Sequence, residues 1–181
     1  MTYAFKKAPA GVLAGFPFLP IDLGKLIAFK QAVYDANVSS GFGSKDPHPG
    51  SGEVDFSEID CSGFVRTLLM YAAGAALKDF PDGSYTQGDW LNSKGFKPTD
   101  ASNGGSTDGC LRCYVHHPDF MDETGHIWLT VNGHTIESCG GRGPCERAWN
   151  TPLHSGHTLD ALASVGYVLA ALPQVKAPLA P

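Results

Sequence analysis

The sequence predicts an α+β fold in which N-terminal helices pack on an antiparallel β-sheet. Three observations point there. Residues 22–36 and 61–76 carry apolar side chains at helical spacing. Four short strand-like runs come only after residue 110. Between two of those runs stands Asn132-Gly133, the dipeptide of a two-residue hairpin turn, which makes its flanking strands antiparallel. Helices first and strands later is the order of an α+β domain rather than of alternating βαβ units. The 181 residues suit a single catalytic domain over 1–181. Residues 1–20 read as a peripheral lead-in and the Pro-rich 173–181 as a peripheral tail.

The elements follow in chain order. Asp22 is a helix N-cap, and Leu23, Leu26, Ile27, Lys30, Val33 and Tyr34 keep helical spacing behind it. Residues 39–58 are rich in Gly, Ser, Pro and Asp and read as a long loop. A second helix starts at Cys61 and runs to about Ala76. Residues 78–109 read mostly as loop, with a short helix around Gln87–Leu91. Strands are expected at Leu111–His116, Ile127–Val131, Thr135–Ser138 and Tyr167–Leu172.

Composition excludes some functions. A net charge of −5 and a pI near 5.7 provide no basic stripe to neutralise phosphates, so nucleic acid is not a partner. The same balance argues against an electrostatically held membrane protein. No run of about eighteen apolar residues occurs, the least that a spanning helix needs. Lys6 and Lys7 precede an apolar stretch, but Pro9, Gly11, Gly15 and Pro17 interrupt it, so it reads as a lead-in and not as an export signal.

The chemistry gathers around Cys61. It follows Asp60 and opens an apolar helical run, where the helix dipole and unpaired N–H groups favour an anion, here a thiolate. Asp60 reads as the cap of that helix rather than as a catalytic acid. In the hairpin, Val131 pairs with His134, Leu129 with Ile136, Trp128 with Glu137 and His126 with Cys139. Alternation then puts Ile127, Leu129, Val131, His134, Ile136 and Ser138 on a core-facing side. His126, Trp128, Thr130, Thr135, Glu137 and Cys139 fall on the other side. His126 and Glu137 are diagonal neighbours, roughly 7–8 Å apart at the backbone, a gap that their side chains close. A nucleophilic thiolate needs an imidazole to hold the proton balance and protonate the leaving group. The imidazole needs a polar group to fix its orientation. Cys61, His126 and Glu137 are therefore the candidate catalytic residues. Trp128, Phe42 and Ser62 are candidates for substrate contact.

Asp-Cys-Ser-Gly-Phe-Val at 60–65, Gly-His-Ile at 125–127 and Ile-Glu at 136–137 resemble the NlpC-type cell-wall cysteine peptidases. Phe80-Pro81 followed by Gln87 is similar to the stretch that the family places after its catalytic helix. The resemblance covers roughly residues 30–140. It implies a papain-like fold and hydrolysis of amide bonds in peptidoglycan stem peptides, with Cys61 as nucleophile, His126 as base and Glu137 as the third polar residue. It implies no cofactor and no metal. Where the family usually carries an aromatic hydroxyl, this chain has Phe42, which leaves the backbone N–H of Cys61 to face an oxyanion. The expected place of action is the bacterial cell wall, reached by phage, holin or dedicated secretion, with a phage particle or a secretion machine as partner. The alternatives are an acyltransferase or transglutaminase-like enzyme on the same scaffold, and a non-catalytic wall-binding module.

Four further cysteines remain. Cys110-x-x-Cys113 and Cys139-x5-Cys145 are open to three readings: disulfides, free thiols, or a four-thiolate zinc site.

Overall fold

The computed structural model describes residues 21–45, 57–117, 124–151 and 158–171. The lead-in 1–20, the tail 173–181 and His48, His154 and His157 lie outside the described residues.

Helix α1 spans Leu23–Asp35, and the Asp22 carboxylate accepts from the Lys25 N–H at 3.1 Å. It buries Leu23, Leu26, Phe29 and Val33 against α2, Cys61–Ala73. Phe29 packs on Tyr71 of α2 with ring centroids 5.0 Å apart. Helix α2 stops three residues short of the expected Ala76. Gly74 adopts φ 66°, and the Ala75 N–H turns back onto the Met70 carbonyl. Glycine takes that left-handed conformation without the steric cost that a Cβ brings.

The stretch expected as loop after residue 78 is more ordered than the sequence suggested. A 3₁₀ turn at Leu77–Asp79 leads to α3, Ser84–Ser93, which is longer than Gln87–Leu91. Strand β1, Lys97–Thr99, and a second 3₁₀ turn, Ala101–Gly105, follow.

The remaining strands are β2 (Cys110–His116), β3 (His126–Val131), β4 (His134–Cys139), β5 (Gly143–Ala148) and β6 (Val165–Ala171), with a short helix α4 at Leu159–Leu162. They form one antiparallel sheet in the order β1-β6-β2-β3-β4-β5. The fold is thus α+β, with its first helices packed on an antiparallel sheet. The two strands that the sequence did not reveal, β1 and β5, are its edges. Lys-Pro-Thr and Gly-Pro-Cys-Glu-Arg-Ala lack the β-branched and aromatic pattern of a central strand, and proline is tolerated at a sheet edge.

The hairpin register is as the turn predicts: Val131 pairs with His134, Thr130 with Thr135 and Leu129 with Ile136. Ile127, Leu129 and Ile136 join Phe64, Leu68 and Leu69 in the main core. The opposite side is not an open face, however. Trp128, Thr130, Thr135 and Glu137 are all fully buried. Tyr114, Trp128 and Leu159 form a second small core, with Trp149 and Leu162 packed against it. The 3₁₀ turn comes close enough to cover it only because Gly104 has no side chain; a Cβ there would lie 2.6 Å from the Trp149 ring.

Candidate active site

Cys61 owes its position to the first turn of α2. Asp60, extended at φ −85° and ψ 176°, accepts from the Gly63 N–H at 2.7 Å, as an N-cap does. The Ser62 hydroxyl donates to the same oxygen, Asp60 Oδ1, at 3.1 Å. Lys45 reaches the Asp60 carboxylate and donates to Ser62 Oγ at 2.7 Å. Its backbone lies against the turn as well. A Cβ on Gly63 would stand 2.8 Å from both Lys45 Cα and the Lys45 carbonyl oxygen, so no larger residue fits there. Gln87 Nε2 donates to the Ser62 and Pro81 carbonyls, both at 3.0 Å, which fixes α3 to the start of α2. Ser138 Oγ donates to the Ile59 carbonyl at 2.7 Å and so joins β4 to the residue two places before the cysteine.

His126 stands where these elements meet. Its Nε2 lies 2.7 Å from Glu137 Oε2, and the Cys61 sulfur is its other hydrogen-bond partner. With Nε2 engaged by the carboxylate, Nδ1 is the nitrogen left for the sulfur. The ring stacks on Trp128, centroids 5.5 Å apart. Glu137 is wholly buried, and its second oxygen accepts from Arg147 Nε at 2.7 Å. Sulfur, imidazole, carboxylate and guanidinium therefore form one continuous line.

Charges along that line support each other. Burial works against the imidazolium, but the bonds to Cys61 and Glu137 and their negative charge outweigh it, and the His126 pKa is pushed up to about 9. Burial also works against the Glu137 carboxylate. His126 and Arg147 together overcome this and hold its pKa below the ordinary value of 4.5. At neutral pH the pair is imidazolium and carboxylate.

The three catalytic candidates thus come together, while the three contact candidates separate. Phe42 is 89% exposed, on the segment that crosses the start of α2. Ser62 and Trp128 are both buried. The hydroxyl of Ser62 belongs to the cap, and the indole of Trp128 backs the imidazole. Two residues with a part in the site were not singled out from the sequence. Arg147 sits on β5, diagonal to Glu137, and β5 carries no strand signal of its own. Lys45 lies in a loop whose approach to Asp60 no local pattern encodes.

The four other cysteines do not form a common zinc site. Cys113 is fully buried in the main core. Cys139 and Cys145 instead meet each other, Sγ to Sγ 3.7 Å, and all five cysteines are free thiols. The hydrogen bond from Cys145 brings the Cys139 pKa down to about 7 against the effect of burial, and the same bond together with burial pushes Cys145 up.

No family model matches this sequence, and no curated protein matches it. Among solved structures, a protein of the NLP/P60 family from Staphylococcus aureus subsp. aureus Mu50, described as similar to lipoprotein, superposes with a TM-score of 0.44 at 14% identity. The match covers 78% of this chain and 41% of that one, so this chain spans less than half of that protein's length. A likeness that distant bears on no residue's role.

Proposed function

We propose that the chain is a cysteine hydrolase of the NlpC type that cleaves amide bonds in peptidoglycan stem peptides. The observation that carries this reading is the His126 ring, bonded to the Cys61 sulfur on one side and to the buried Glu137 carboxylate on the other. A structural cysteine has no need of an oriented imidazolium, whereas a nucleophile does. In this reading the Cys61 thiolate attacks the amide carbonyl carbon, and the oxyanion so formed meets the N–H groups at the mouth of α2. His126 gives its proton to the departing amine, which leaves an acyl-thioester. Water, relieved of a proton by the now neutral imidazole, releases the acid and restores the pair. Glu137 and Arg147 keep the ring in the required tautomer throughout. The choice of wall peptides as substrate rests on the motif resemblance at residues 60–65 and 125–127.

The test is to incubate purified muropeptides with the protein and with Cys61→Ala, and to read the products by mass spectrometry. The expected outcome is a new amine and a new carboxylate terminus with the native protein alone. Identical product traces from the two proteins would sink the hydrolase reading.

A further inference from the structure

We propose that Cys139, Cys145 and Glu137 form a binding site for a soft divalent cation of the zinc class. Among the described residues these three are the cluster whose ligand atoms all lie within 4.8 Å of one another. The register brings them together. Glu137 faces Cys145 across β4 and β5, while Cys139 faces Gly143, so the two cysteines are diagonal neighbours on the side that carries the carboxylate.

Geometry distinguishes a metal from a disulfide. Diagonal neighbours on antiparallel strands are roughly 7–8 Å apart at Cα, beyond the span that a disulfide bridges without moving backbone. A tetrahedral zinc with Zn–S bonds of about 2.3 Å holds its sulfurs about 3.8 Å apart. The observed separation is 3.7 Å. The thiolates and a carboxylate oxygen supply three ligands, and the partly exposed Cys145 leaves a fourth position toward solvent. Binding releases the thiol protons to water and requires no oxidant.

Glu137 borders both this site and the first one. Its two oxygens already serve His126 and Arg147. Each of those oxygens has a second lone pair, so the carboxylate can also face a cation. The metal site is distinct from the hydrolytic reading and does not depend on it.

The experiment uses the full chain carrying Cys61→Ser, so that the active-site thiol cannot capture the probe, kept reduced with a phosphine. It is titrated with Co²⁺ and then with Zn²⁺. The expected result is one Co²⁺ per chain with a thiolate-to-metal absorption band, displaced by Zn²⁺ and lost in both Cys145→Ser and Cys139→Ser. Zinc should raise the melting temperature, and a chelator should reverse the rise. Should Cys139→Ser not fold, the partly exposed Cys145→Ser decides the matter. A missing thiolate band, or one that survives Cys145→Ser, overturns the site. A cross-link between the two cysteines formed by a small-molecule disulfide, with no metal uptake by the reduced chain, overturns it too. None of these readouts needs hydrolysis, so a negative muropeptide assay leaves them intact.

Discussion

Glu137→Gln keeps the shape and one hydrogen bond of the Glu137 side chain but removes its charge, so it isolates what the carboxylate does to His126. The imidazole rises from 6.5 to about 9, a net preference for the protonated ring of about 3 kcal/mol. Since burial opposes that preference, the favourable contacts together exceed it. They come from two sources, Cys61 and Glu137. Loss of one charge should therefore lower the midpoint by at least about one unit, or about 1.4 kcal/mol. NMR titration of His126 in a Cys61→Ser background, with and without Glu137→Gln, measures the carboxylate's share alone. Folding follows the same groups. The raised His126 contributes stability that is complete below 6.5 and lost as pH climbs through about 9. Glu137, held low, contributes stability that is present above 4.5 and lost as pH falls through its folded value. Denaturant unfolding of the native chain should thus show a maximum between these limits, and both limbs should flatten in Glu137→Gln. An unchanged His126 midpoint in the variant would refute the charge argument.

The remaining predictions are local. Trp128→Ala empties the space beneath the imidazole and should destabilise the fold by about 3–5 kcal/mol, read by denaturant unfolding, with Trp128→Phe intermediate. Asp60→Ala should cost about 1–2 kcal/mol by removing the cap of α2, and slower alkylation of Cys61 by iodoacetamide should accompany it. Phe42→Ala, on a ring almost wholly in water, should shift stability by less than about 0.5 kcal/mol. If that ring grips substrate, KM for the muropeptides rises while kcat holds.

Local chemistry explains which parts of the architecture were legible beforehand. Asp22 and Asp60 announce helices because a capping carboxylate acts within three residues of chain. Asn132-Gly133 announces the hairpin because a two-residue turn admits one register, and that register places His126 beside Glu137. The edge strands escaped notice because half-covered strands need no apolar alternation, and β5 in particular reads as a polar loop. The same gap hid Arg147, whose place beside Glu137 exists only once β5 is paired.

By itself, the sequence determined the helix mouth at Cys61, the parity of the hairpin and so the three residues of the candidate site. Only the tertiary structure decided that the side of the sheet bearing His126 and Glu137 is covered, that Trp128 and Ser62 are buried, and that two cysteines meet beside the carboxylate. The physical reason is range. Caps, turns and alternation act between neighbours along the chain, whereas burial and the pairing of charges depend on which distant segment folds over them.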